Sequence, residues 1–521
     1  MKSTTLGVII LVLLAALLIV SWHFLGPLME EQRLGRTSDA GKIKDEITIA
    51  GDSWLGYFVL RSAEFKKRLR EQGTNPVWID DNAQYQQRMK KFAAGDYHFI
   101  VATVDSYLVN AWQLKPAFPG VIIAVIDESS GGDAIIADAS ITDLNDLDKP
   151  EIRIALTPAS PSEFLMKAVA SHFNVHNLTI GTQWKIETDG AKGAYDALKK
   201  GQVSVAVMWE PYVSKALQIQ GNHKLLGTEK TSGLIVDILI AHRTTIENSP
   251  DLVNRVLQAY FQSLNYYQQT PERLTDQAAD DSKEKKEVAK TMLDGISFAD
   301  FKQNCQVWFG TGPGSSSTSD RLVATIESTI AILKDNGDLP SDFNLGNPYS
   351  LINSALLETL SKTDSSDLAD KFTVGPGPAQ VPEKTRDFKG LDKPGWNNLK
   401  RVGTLKIRPI VFQSSTPVLS ISGKEEVDRA AEVIAHYPHF RILIKGHTSP
   451  GGDEPANQLL SEQRAESVQQ YLVSVHDLEV DRIMAIGVGS SEPLEMNRNE
   501  SQRAFKLRLQ RVEFIFLEDK D

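Results

Sequence analysis

The clearest chemistry in the sequence lies at residues 445–465, KGHTSPGGDEPANQLLSEQRA. A loop rich in Gly, Pro and acids runs into a helix, and Arg464 sits inside that helix. A guanidinium there can grip a carboxylate with two parallel hydrogen bonds; the plainer role is that of a surface helix arginine. A second set of polar and aromatic residues follows β-rich runs. Trp54 comes after the first, Thr103 and Asp105 end another, and Trp209 and Glu210 end a third. TPASPSEF at 157–164 ends a strand and opens a helix, with Ser160 as its cap and Pro161 in its first position. Free N–H groups at such a terminus hold anions, so Ser160 and Ser162 point to an anion, whereas Glu210 points to an amine. Each residue also has a simpler use, because a tryptophan after a strand is often core and Ser-x-Ser is often only a cap. Other signals are weak. His172 and His176 stand four apart without a third ligand, and GTGPGSSST (310–318) lacks the lysine of a phosphate loop.

The elements that must position these residues form three pieces. Between 45 and about 345, the runs EITIAG (46–51), HFIVATV (98–104), GVIIAVI (120–126), EIRIALT (151–157) and VSVAVMW (203–209) read as strands. Helices are predicted between them, at 59–73 and 161–173 among others. Near-continuous apolar strands alternating with helices predict an α/β fold with a mainly parallel sheet covered on both faces. Loops leaving the carboxyl ends of such strands converge where ligands bind. Residues 346–398 read as a linker; its core, 361–387, is polar and contains Pro and Gly, and extended it would span roughly 90 Å. Residues 399–521 have their own strand–helix–strand pattern. A helix at 458–475 places Leu460, Val468, Leu472 and Val475 on one side, with Arg464 near the border. In the final strand the apolar phase shifts after Leu509, which predicts a bulge near Gln510–Arg511.

Composition bounds the function. The formal charge of −11 disfavours nucleic acid as a partner. A single cysteine, Cys305, rules out intramolecular disulfides and Cys-rich zinc sites. From Ser3 to Met29 there is no Asp, Glu, Lys or Arg, and about 20 apolar residues suffice to cross a bilayer. Trp22 and Phe24 suit the outer interface, so 1–29 reads as a retained signal-anchor in the inner membrane, 30–44 as a stalk, and the rest as periplasmic.

Two resemblances extend this reading. DSWLGYFVLRSAEF (52–65), GGDAIIADASITDLNDL (131–147) and DGAKGAYDALKKGQVSVAVMWEPYVSKAL (189–217) resemble the nitrate/sulfonate/thiamine-precursor group of periplasmic substrate-binding proteins. That resemblance implies the type II two-lobed fold, with lobe one at 45–130 and 235–345, lobe two at 131–234, and a ligand in the cleft. RILIKGHTSPGGDEPANQLLSEQRAESVQQYL (441–472), RIMAIGVGSSEP (482–493) and RVEF (511–514) resemble the OmpA-like peptidoglycan-binding domain, a β/α sandwich. In that family an Asp after His-Thr and the Arg of Leu-Ser-x-x-Arg-Ala grip the diaminopimelate of the wall peptide. Here the resemblance carries over to Thr448, Asn457, Arg464 and Arg511, but Ser449 stands where the acid belongs. Asp453 and Glu454 are the neighbouring carboxylates that would have to replace it.

The expected function is therefore binding, not catalysis, without cofactor or metal: a membrane-anchored domain that holds a small anion or amine, linked to a wall-contacting tip. An ABC-type permease or another envelope protein would be its partner. The alternative is a passive envelope tether whose two lobes are scaffold. A proton-driven stator needs an intramembrane acid, which 3–29 lacks. The pyrimidine synthesis performed by some relatives needs a cofactor lysine and clustered histidines, which do not stand out.

Overall fold

The computed structural model describes residues 43–363 and 388–520, apart from residues 180, 312–319, 415 and 499. The expected anchor at 1–29 lies outside the described residues; among those described, no helix is long and apolar enough to cross a membrane. The apolar runs build two sheets. Lobe one contains β1 (Asp45–Gly51), β2 (Thr74–Asp80), β3 (Phe99–Thr103), β4 (Gly120–Ser129), β10 (Val236–His242) and β11 (Ile296–Phe298), in the order β11-β4-β10-β3-β1-β2. Lobe two contains β5 (Asp133–Ala137), β6 (Ile154–Leu156), β7 (Lys185–Glu187), β8 (Val205–Trp209) and β9 (His223–Gly227), in the order β7-β6-β8-β5-β9. β4 is buried along nearly its whole length, as its unbroken apolar run requires when helices cover both faces. Strand β10 threads back between β3 and β4.

The mainly parallel expectation needs correction. β10 is antiparallel to β3 and β4, and β5 is antiparallel to β8 and β9. Both have just crossed from the other lobe. Each enters its sheet at the cleft edge and must run away from it, opposite to neighbours whose carboxyl ends face the cleft. Thr228, fully buried, ties the two crossings together: its hydroxyl lies 2.8 Å from Ser129 Oγ and accepts from the Gly131 N–H at 2.8 Å. Past 345, the short helix Pro348–Leu351 and the helix Ala355–Thr363 still pack on lobe one through Leu351, Leu356 and Leu357.

The described part of the last domain runs from residue 388, ahead of the helix Lys393–Asn397. Its sheet of β12 (Lys400–Thr404), β13 (Arg441–Gly446), β14 (Ile483–Gly487) and β15 (Val512–Glu518) runs β12-β15-β13-β14, packed by the helices Ile421–Ala435 and Glu454–Val475. The bulge expected near Gln510–Arg511 is absent. Residues Gln502–Leu509 are helical, so the apolar phase shift marks a helix running into a strand.

This domain sits directly on lobe two. Phe173, at the end of the helix Pro161–His172, packs against Tyr437 and Phe516 with ring centroids 5.3 and 5.9 Å apart. Backbone bonds flank it: Asn174 N–H donates to Thr404 O at 2.9 Å and Lys406 N–H to His172 O at 2.8 Å. The His172 ring stacks on His436 and lies 2.9 Å from the Tyr437 hydroxyl. His436 in turn exchanges bonds with Ser232, just before β10. The contact thus touches both lobe two and a segment that crosses between lobes. Burial, with His436 and Lys406 nearby, holds the His172 imidazole well below its ordinary pKa, so the stacked pair is neutral. His176, its spacing partner in the sequence, is mostly exposed beside Asp148. No cluster of three metal-ligating side chains occurs among the described residues.

Candidate functional site

The cleft between the lobes is narrow and partly open to solvent. Both lobes line it: Asp52, Trp54, Tyr57, Tyr85, Thr103, Ile235 and Asp237 from one side, Asp133, Pro161 and Trp209 from the other. The turn after β1 sets Trp54, whose backbone N–H donates to Asp52 Oδ1 at 3.0 Å. Its ring lies against the crossing strand: a Cβ added at Gly132 would stand 2.3 Å from it. Asp52 is held by Arg88, fully buried, at 2.9 Å, while Arg88 also pairs with Asp81 at 2.6 Å and donates to Val101 O. Trp209 and Asp133 face each other in the β5–β8 register.

The cleft is acidic. Burial and the neighbouring Glu210 and Asp52 push Asp133 up to about 7 even though it accepts from Ser129 Oγ at 2.7 Å. Asp237 accepts from the Tyr57 hydroxyl, and it faces Asp127 across β10 and β4. Burial pushes both upward, Asp127 to about 8, and each raises or perturbs the other as two carboxylates sharing one site must. Asp105, behind Thr103, is likewise raised to about 7 by burial.

Of the six residues expected here, Trp54, Thr103 and Trp209 line the cleft. Ser160 and Ser162 flank Pro161 without lining it. The Ser160 hydroxyl donates to Thr157 O at 2.6 Å, and Ser162 Oγ is buried with no partner among the described residues. Glu210 turns away, accepting from Ser214 N at 3.1 Å and Ser214 Oγ at 2.7 Å. It closes a helical turn there and does not face the cleft. Tyr57, Tyr85, Asp133 and Asp237 were missed. For two of them a signal existed, a lone carboxylate in GGDAIIA and another in GLIVDILIAH, each interrupting an otherwise apolar run.

The second site is a wide groove on the last domain, with about 1800 Å³ of free space, and it brings together Thr448, Ser449, Asn457, Arg464 and Arg511. Arg464 lies over the Phe412 ring at 5.0 Å and donates to Thr416 O at 3.4 Å; no described carboxylate pairs with it. Burial lowers its pKa without neutralising it. Thr448 Oγ1 is buried with no partner among the described residues. Ser449 Oγ accepts from Gln510 Nε2 at 3.3 Å, and Asn457 Nδ2 donates to Gly451 O at 2.9 Å. Arg511 is bound to Glu513 at 2.6 Å. Burial alone would raise Glu513, but His447 and Arg511 bring it down to about 2.

Neither neighbouring acid replaces the missing one. Asp453 caps its helix by accepting from Ala456 N at 3.0 Å, and Glu454 accepts from Ser490 Oγ at 2.9 Å. The carboxylate that does line the groove is Glu500, held by Arg508 at 2.8 Å and lowered to about 2 by that bond. The donor half of a zwitterion grip is therefore open, and the acceptor half is engaged.

Residues 411–506 match the family model described as OmpA family. Over 104 residues the chain is 34% identical to the peptidoglycan-binding protein ArfA of Mycobacterium tuberculosis, covering 20% of this chain and 32% of that protein. Over 101 residues it is 33% identical to outer membrane porin F of Pseudomonas fluorescens, covering 19% and 31%. The chain spans less than half the length of these curated relatives. The earlier part is similar in structure to the aliphatic sulphonate-binding protein SsuA of Escherichia coli, with 15% identity, a TM-score of 0.46 and coverage of 60% of this chain and 99% of that one. It is also similar to the nitrate-binding protein NrtA of Synechocystis, at 10% identity, a TM-score of 0.47 and coverage of 64% and 92%. The chain thus joins a two-lobed α/β domain to a C-terminal domain that matches the OmpA family model over residues 411–506.

Proposed function

We propose that this chain is a solute-binding protein of the cell envelope, held in the inner membrane by residues 1–29 and touching peptidoglycan through the Arg464 groove. It binds and does no chemistry. The observation that carries this reading is the cleft, whose aromatic and polar lining comes from both lobes, so that a ligand would bridge them. The unpaired Arg464 beside Thr448 and Asn457 supports the wall contact. With two attachments, such a protein presents its solute to a fixed partner, an ABC-type permease or another envelope protein, instead of scavenging freely.

The test has two arms on the full chain in detergent. Mass spectrometry of the purified protein should find a small molecule that is lost in Trp209→Ala; an empty cleft with no thermal shift across amines and oxyanions would leave only the tether. Sedimentation with purified peptidoglycan should fall by about tenfold in affinity for Arg464→Ala, the loss of one charge-assisted contact. Unchanged sedimentation would remove the groove from the account.

A further inference from the structure

We propose that the solute is a small organic ammonium ion, seated among the rings of Trp54, Tyr57, Tyr85 and Trp209 with Asp133 and Asp237 as its counter-charges. This rests on the solute-binding reading above and names the ligand class for that cleft.

The charge inventory leads there. The described lining holds three aspartates and no lysine, arginine or histidine. The guanidinium closest at hand, Arg88, is fully committed: its nitrogens bond Asp81, Asp52 and Val101 O, and its face covers the Tyr85 ring at 4.9 Å. That single cation is shared between Asp52 and Asp81, so it leaves no positive charge for the rest of the cleft. Asp133 and Asp237 have no cation. Asp133 is 4% exposed and lines the cavity without a described cation partner, while Ser129 Oγ donates to its Oδ2 at 2.7 Å. A buried, uncompensated acceptor lining a cavity calls for a cation or a proton.

An anion fares badly in the same space. It would enter beside the carboxyl groups of Asp133 and Asp237 in a lining that holds no described cation. The helix end beside the cleft presents Pro161, which has no N–H, and neither Ser160 nor Ser162 lines the space. The aromatic lining fits the cation instead. Four rings from three separate segments surround a small volume, and the face of an aromatic ring attracts an ammonium more strongly as water is excluded. Carboxylates supply the charge and the rings supply the shape, so primary and methylated ammonium groups share this chemistry.

The experiment is isothermal titration of the full chain in detergent, after removal of co-purified solute by partial unfolding and refolding. Choline is compared with its neutral carbon isostere 3,3-dimethylbutanol, methylammonium and putrescine report on primary amines, and taurine and nitrate serve as anionic probes. At least one ammonium probe should bind, and choline should exceed its isostere by about tenfold or more. Asp133→Asn and Asp237→Asn keep shape and should each weaken the ammonium probe by about tenfold without changing sedimentation with peptidoglycan. The preference between choline and the primary amines decides which ammonium class is held. Binding of the neutral isostere as tight as that of the best ammonium probe, tighter binding of an anion, or an anionic co-purified solute overturns the ammonium assignment and leaves solute binding intact. No binding of any probe together with no co-purified solute overturns both.

Discussion

Replacing Phe173 by alanine should separate the two domains. The side chain is 1% exposed and stands where lobe two meets the OmpA-family domain, against Tyr437 and Phe516. A buried Phe→Ala change typically costs about 3–5 kcal/mol. Lobe two keeps its own backbone closure, Phe173 N–H to Val169 O at 2.8 Å, so most of the loss falls on docking. Calorimetry of the full chain should show lobe two and the last domain melting together in the parent and apart in Phe173→Ala. A double-mutant cycle with Phe516→Ala should return a coupling of about 0.5–1.5 kcal/mol, as expected for one aromatic pair in contact. A single transition that persists, with a loss under about 1 kcal/mol, would mean that the rings are not packed as described and that the docking is held elsewhere.

The same interface should respond to acid. The folded pKa of His172 is depressed, so its contribution is present above the unfolded value of about 6.5 and is lost as pH falls below it, at up to about 1.4 kcal/mol per pH unit. His436, also lowered by burial, adds to this, with Lys406, Arg321 and Glu128 as the charged neighbours. Melting temperature followed from pH 7.5 to 5.0 should drop steeply, and His172→Gln should flatten that drop. Gly132→Ala should displace Trp54, whose ring the new Cβ would meet at 2.3 Å; a loss of about 1–3 kcal/mol by denaturant unfolding is expected, with a red-shifted tryptophan emission. Ser449→Asp should tighten peptidoglycan sedimentation by about tenfold, because it adds a carboxylate beside Arg464 in a groove whose present acid is tied to Arg508.

The strands that carry both sites were legible because burial on two faces demands uninterrupted apolar runs, and GVIIAVIDES and VAVMW supply them. Pro161 marked its helix start for an equally local reason, a fixed φ and a missing N–H. The OmpA-like motif was legible because Thr448, Asn457 and Arg464 come from one loop and the helix after it, so chain order nearly equals spatial order. Directions were harder. Glu210 was expected to face a ligand, yet its nearest donors are its own helix turn at Ser214. Asp453 is likewise taken by its own helix turn and Glu454 by Ser490 from another part of the chain, whereas Glu500 reaches the groove. The phase shift at Leu509 suits a bulge or a helix end, and only packing chose the helix.

What the sequence determined by itself was local: apolar periodicity, caps, the break in composition after the binding domain, and the motif around Arg464. Tertiary structure alone decided the sign of the cleft and the place of the last domain. Asp133 and Asp237 become one acidic site only when two crossing strands bring them to one cavity while Arg88 is drawn off to Asp52 and Asp81. His172 meets His436 across 264 positions of chain, through a contact that no periodicity encodes. Charge balance and docking depend on which groups lose water together, and that is a property of the folded arrangement, not of order along the chain.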